Sequence, residues 1–110
     1  MKVSELKEKL NLTLCAGESG ILKDISGCYI GDLLSLAMAR VSAGNIWITI
    51  QTNVNVIAVS ALTEAGCVIL AEGLKPDENA LNKADAEGIP VLSSEKTVYE
   101  LAKELAALGI

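Results

Sequence analysis

Apolar residues occur along this chain in short blocks divided by polar turns, and the blocks alternate between strand-like and helix-like patterns. Asn45 to Ile50 (NIWITI) is β-branched and apolar on both faces, with Ile46, Ile48 and Ile50 opposite Trp47 and Thr49, which predicts a central strand. Cys67 to Ala71 is a second such block, and the sixteen residues between the two (51 to 66) match the dozen or more that a parallel crossover needs. Val54 to Ala65 is therefore read as a helix despite its many β-branched residues. A third strand is predicted at Ile25 to Ile30, stopped by Gly31, and a last short one at Ile89 to Leu92.

Helix boundaries are marked by capping chemistry. Ser4 is a candidate N-cap for a helix to about Leu10, and Asp32 for a helix from Leu33 to about Val41 that Ser42-Ala43-Gly44 ends. Pro76, Asp77 and Glu78 open a helix that Gly88 closes, and Thr97-x-x-Glu100 is a capping box before YELAKELAAL. Asn11 to Cys15 reads as a short strand or extended arm, and Gly17 and Gly20 mark a loop. From residue 25 onward the order is β-α-β-α-β-α-β-α. It predicts an α/β fold, a three-layer α/β/α sandwich with a mostly parallel sheet of four or five strands, in one domain over residues 1–110.

The pattern also places a candidate site. Gln51-Thr52-Asn53 falls where the first central strand ends, and open α/β sheets bind ligands at strand carboxyl ends. Amide and hydroxyl groups there lie beside a helix N-terminus whose free amides attract anions. Gly73-Leu74-Lys75 occupies the same position after the next strand and offers backbone amides and one cation, although the GxxxxGK[ST] spacing of a phosphate loop is absent. The candidate ligand-binding residues are thus Thr52, Asn53, Gly73 and Lys75. A capping role for Thr52, Asn53 or Asn55, and an ordinary turn at Gly73, explain the same residues without a ligand.

Composition narrows the function. The chain has 110 residues, no His and no Phe, with Trp47, Tyr29 and Tyr99 its only aromatics, so the core is Leu, Ile, Val and Ala. No nucleophile with a paired base and no acid/base carboxylate pair is evident, and no catalytic residue is assigned. A net charge of −5 without a Lys/Arg cluster argues against nucleic acid. Cys15, Cys28 and Cys67 have no close pair, so neither metal nor cofactor is expected and buried free thiols are. The amphipathic start MKVSELKEKL is unlike a signal peptide, and polar residues from Asn45 to Asn55 interrupt the one long uncharged run, Val41 to Thr63. A cytoplasmic protein without a membrane span is expected. In the helix LLSLAMARV, Leu33, Leu36 and Ala37 form one apolar face and Leu34, Met38 and Val41 another. Such a helix is either wedged between elements of its own fold or part of a homodimer surface.

Gly31-Asp32-Leu33, the NIWIT strand, the TNVN turn and the segment ILAEGLKPDE together resemble the DRTGG domain family, over essentially the whole chain and best between Ile25 and Leu92. Members of that family look like accessory domains, found beside CBS domains in some inorganic pyrophosphatases and inside long phosphotransacetylases, and similar in fold to the N-terminal domain of HPr kinase/phosphorylase. The resemblance implies a non-catalytic regulatory or ligand-sensing module. Its ligand would be adenine nucleotide-like or another small anionic metabolite; a structural docking module is the alternative, with an enzyme of nucleotide or phosphate metabolism behind it. The family's Asp-Arg and Thr-Gly-Gly pieces align on Thr52-Asn53 and Ala71-Glu72-Gly73, where only Gly73 is retained. Losing that arginine removes a bidentate anion binder.

Overall fold

A computed structural model describes residues 1–110. The elements run α1 (Val3–Lys9), β1 (Thr13–Ala16), a 3-10 turn at Glu18–Gly20, β2 (Gly27–Ile30), α2 (Leu34–Arg40), β3 (Asn45–Thr49), α3 (Val54–Thr63), β4 (Cys67–Leu70), α4 (Glu78–Glu87), β5 (Val91–Ser93) and α5 (Val98–Ala107). The five strands form one sheet in the order β1-β5-β4-β3-β2. Pairing is parallel throughout except between β1 and β5, which are antiparallel and carry a bulge between Leu14 and Ala16.

Because β2, β3, β4 and β5 are neighbours in chain order, every crossover steps in the same direction, and right-handed connections then place α2, α3 and α4 on one face. The two cores bear this out. On that face Ala37, Val56, Ile57, Ala80 and Ala84 pack on Trp47, Val68, Leu70 and Val91. On the other, Val3 and Leu6 of α1 and Leu101 and Leu105 of α5 cover Ile46, Ile48, Ile69 and Leu92. Trp47 and Ile48 thus point to opposite layers, as the two-sided apolarity of NIWIT requires.

Several boundaries differ from the sequence reading, each for a local reason. Ser4 does not cap α1. The helix begins two residues after Met1, its amides at Val3 and Ser4 donate to the carbonyls of Lys23 (3.0 Å) and Ile21 (2.8 Å), and Glu5 Oε1 accepts from Lys2 N (3.1 Å), so a serine cap is not needed. The last strand is Val91–Ser93 rather than 89 to 92: Pro90 has no amide to donate, and its carbonyl accepts from Val68 N (2.9 Å). Ile50 lies beyond β3 and is 45% exposed. Of the three free thiols only Cys67 is buried; Cys28 is exposed on the edge strand and Cys15 half-buried. Full burial, with Cys28 nearby, pushes the Cys67 thiol up to about 12, so it is not a thiolate at neutral pH.

Helix α2 is covered on one side only. Ala37 and Val41 are buried and Leu34 packs partly against the core, while Leu33, Leu36 and Met38 stay 64%, 43% and 50% exposed. It is not wedged against the terminal helix, since α5 lies on the opposite face. No helix is long and apolar enough to cross a membrane.

Candidate functional site

The carboxyl edge of the sheet gathers the turns that follow β2, β3, β4 and β5. Three of these turns are capped as their sequences predict: Asn53 Oδ1 accepts from Asn55 N (2.9 Å) to start α3, Asp77 Oδ1 from Ala80 N (2.9 Å) to start α4, and Thr97 Oγ1 from Glu100 N (3.2 Å) to start α5. The Glu100 carboxylate returns a contact by accepting from Thr97 N at 3.1 Å, and that bond holds its pKa below the ordinary value.

Asp32 departs from expectation. Helix α2 has Leu33 at its N-cap position with no side-chain cap, and Asp32 Oδ1 instead reaches the next strand, accepting from Thr49 Oγ1 (2.8 Å) and Ile50 N (3.0 Å). Thr49 is fully buried, and its hydroxyl donates to Asp32 while accepting from Gln51 N (3.2 Å), so both its capacities are met inside the fold. The mesh continues outward. Gln51 Nε2 donates to the Asp32 carbonyl (2.7 Å), and Asn53 Nδ2 donates to Gln51 Oε1 (3.0 Å).

After β4 the chain turns through two successive left-handed residues, Glu72 (φ 61) and Gly73 (φ 72). Their amides bond across to the turn after β5, Glu72 N to Lys96 O (2.9 Å) and Gly73 N to Ser94 O (2.8 Å), while Lys75 Nζ donates to Ser93 Oγ (2.9 Å). A Cβ on Gly73 would lie 2.5 Å from Glu95 Oε2, so a carboxylate sits directly beside that turn. Ser93, Ser94 and Glu95 are site residues that the sequence reading missed. The signal was a polar Ser-Ser-Glu run at the carboxyl end of a strand.

Thr52 and Asn53 therefore stand at the end of β3, and Gly73 and Lys75 at the end of the adjacent, parallel β4. The two turns are tied by Asp77 N donating to Thr52 O (3.0 Å), but no side chain of the four bonds another of them. Asn53 is engaged in capping and Lys75 is turned toward β5. Beneath them, between α3, α4 and the sheet, lies a narrow cleft walled by Val56, Leu70 and Ala80 that is too tight to admit water. Small-molecule sites usually enclose about 300–1,000 Å³, so a ligand of nucleotide size must lie across the edge or part the turns. A crevice opens most readily where connections leave adjacent strands for opposite faces. Here that switch is between β4, which leads to α4, and β5, which leads to α5. Lys75 and Ser93 face each other across it. No group of three His, Cys, Asp or Glu side chains is placed to hold a metal.

A model of the DRTGG domain family matches residues 5–108 of the chain. No curated protein matches it by sequence. Among solved structures, the chain is similar to the CBS and DRTGG domains of the regulatory region of Clostridium perfringens pyrophosphatase, a structure complexed with the activator diadenosine tetraphosphate, with a TM-score of 0.73 at 12% identity. The match covers 93% of this chain and 44% of that one, so the present chain spans less than half of its neighbour's length.

Proposed function

The chain belongs to the DRTGG domain family, and from that membership we propose that residues 1–110 act as a single-domain, non-catalytic regulatory module. It senses a small anionic ligand of the adenine-nucleotide kind at the carboxyl edge of its sheet and associates with a second copy of itself. One observation carries the ligand reading: at the β4–β5 switch, Lys75 Nζ is held only by a serine hydroxyl (2.9 Å to Ser93 Oγ) and is in no ion pair. The neighbouring pyrophosphatase region takes a dinucleotide activator, which supports a nucleotide as the first ligand to try. Glu72 and Glu95 oppose a bare phosphate, and the absent family arginine leaves unmade a bond worth about 1.5–3 kcal/mol. Apolar and base contacts must supply the remainder. The lack of a paired nucleophile and base supports the non-catalytic reading, and the unpaired cysteines support a cytoplasmic setting.

The test is an NMR titration of the protein with ATP and diadenosine tetraphosphate. Amide shifts are expected at 51–55, 72–76 and 93–96, with affinity weakened about tenfold by Lys75→Ala, the low end for one charged hydrogen bond. Shifts mapping elsewhere would remove the carboxyl-edge assignment. Self-association rests on Leu33, Leu36 and Met38, exposed beside the unpaired edge of β2. Sedimentation at about 100 µM should show a dimer if its Kd is near 1 µM, and Met38→Glu should dissociate it. A wild-type monomer at that concentration refutes the dimer and leaves the sensor reading intact.

A further inference from the structure

The two edges of the sheet are defended unequally. On the β1 edge the strand is bulged between Leu14 and Ala16, one of the devices that keep an exposed edge from pairing with another chain. Strand β2 is bonded on one side only, to β3, and its residues Gly27–Ile30 hold no bulge, proline or charge. Gly31 N donates to Ile48 O (3.2 Å), so by the alternation of a strand Tyr29 also uses its inner side, and Cys28 and Ile30 present N–H and C=O groups to the open edge. Apolar groups flank that edge on both faces. Cys28 and Ile30 lie in register with Ile46 and Ile48 and so point to the α1/α5 layer, where Met1, Ile25, Leu108 and Ile110 line an open groove beside β2. On the other face stands α2 with its exposed leucines and Met38.

Charge and symmetry identify what fits this edge. The protein carries a net charge of −5, so two copies repel where charged faces meet, yet residues 25–39 contain a single charged side chain, Asp32, whose carboxylate is committed to Thr49 and Ile50. A two-fold axis perpendicular to the sheet sets a second β2 antiparallel to the first. Residues opposite each other must then point to the same face, so one residue lies on the axis and meets its own copy. Centring on Cys28 would set Asp24 against Asp32 of the second copy twice, like charges directly opposed. Centring on Tyr29 avoids this. It opposes Gly27 to Gly31 of the second copy and Cys28 to Ile30, and each Cys28–Ile30 pair exchanges two N–H···O bonds through the groups already turned outward. The same axis keeps both α2 helices on one face of the joined sheet.

We propose that β2 pairs antiparallel with β2 of a second copy about Tyr29, joining two five-stranded sheets edge to edge. This rests on the self-association reading and adds to it the edge and the register. Hydrogen exchange followed by mass spectrometry reads the edge: the Cys28 and Ile30 amides are expected to exchange about tenfold more slowly at roughly 100 µM than at roughly 0.1 µM, the ratio of free monomer for a Kd near 1 µM. A dimer of labelled and unlabelled chains reads the register. Isotope-filtered NOE spectra should connect Tyr29 Hα to Tyr29 Hα of the other copy, because a pair flanked by hydrogen-bonded pairs brings its Cα atoms to about 4.5 Å. Ile30→Lys, with circular dichroism matching wild type, should raise the Kd at least about a hundredfold, since a lysine blocks edge pairing. A dimer whose Cys28 and Ile30 amides exchange equally fast at both concentrations, or one without the Tyr29 cross-peak, overturns the proposal while self-association stands; a monomer at roughly 100 µM removes both. Should Ile30→Lys misfold, the wild-type exchange and NOE data decide.

Discussion

The two ends of the sheet differ in how much open space their turns leave. At the carboxyl end, side chains tie turn to turn: Asp32 to Thr49 and Ile50, Gln51 to Asp32, Asn53 to Gln51, Lys75 to Ser93. Little polar capacity is left over, and the cleft beneath is too narrow for water. At the amino end the turns are joined by backbone, Ser26 N to Gly44 O (3.0 Å), Gly44 N to Glu64 O (2.9 Å) and Gly66 N to Asn45 O (2.8 Å), and by Ser26 Oγ, which donates to Ala43 O (2.6 Å) and accepts from Asn45 Nδ2 (3.2 Å), yet a cavity of about 460 Å³ remains among them. Here the usual binding end of an open α/β sheet is largely sealed, because α2, α3 and α4 sit side by side on one face and the turns leading into them are tied by Gln51 to Asp32 and by Asp77 N to Thr52 O. Strand direction alone does not locate open space. The winding of the helices decides which end stays closed.

Substitutions at each end sharpen that contrast. The largest effect is expected at the amino end, where Gly17 (φ +76) approaches the residues leading into β5 so nearly that an added Cβ would overlap the Ile89 carbonyl oxygen. Gly17→Ala adds overpacking to a left-handed strain, each costing about 1–3 kcal/mol. Urea denaturation should show a loss of about 3 kcal/mol; a loss below about 0.5 kcal/mol would mean the loop simply moves away.

Next comes the carboxyl end. Asp32→Ala strands the buried Thr49 hydroxyl and the Ile50 amide, at a cost of about 2 kcal/mol, typical for hydrogen bonds to a charged group. Hydrogen exchange should speed up at residues 49–53 while 43–45 and 64–66 keep their protection. Ser60→Ala reverses the sign. Removing an unpaired buried hydroxyl from a helix and gaining alanine's helix propensity should stabilise the protein by about 1 kcal/mol, and a destabilised variant would show that the hydroxyl has a partner in solution.

The smallest effect is a titration. Glu100 is held below its ordinary pKa chiefly by the amide of Thr97, so its folded value lies under its unfolded value. The stability it contributes is fully present above the unfolded carboxylate range and is lost as pH falls through the folded pKa. Thermal melts across the acid limb should therefore be shallower for Glu100→Gln than for wild type. Parallel limbs would assign the acid sensitivity to other carboxylates.

What could be read in the sequence was local. Asn53, Asp77 and Thr97 cap helices through bonds spanning two or three residues, so the residue types alone foretell them. The alternation that gives five strands and a parallel core is a matter of spacing, and it too was legible. Asp32 was misread because it had two competing uses, and the one realised joins residues 17 and 18 apart, across a strand pairing that no local pattern encodes. Ser93 to Lys96 escaped notice because their part in the carboxyl edge depends on β5 lying next to β4. The amino-end cavity was hidden for the same reason, its lining drawn from loops spread between Lys23 and Ile89.

Trp47 makes the interior of this protein optically legible. It is the single tryptophan, fully buried, with Nε1 donating to the Gly31 carbonyl at 2.9 Å just past the end of β2. Its register partner on that strand is Tyr29, one of only two tyrosines in a chain without phenylalanine. Strands pair about 4.8 Å apart, so light absorbed by Tyr29 passes to the indole while β2 and β3 remain zipped. Peeling the edge strand away would restore tyrosine emission and red-shift the indole at once, giving one cuvette a reading of whether that edge has opened.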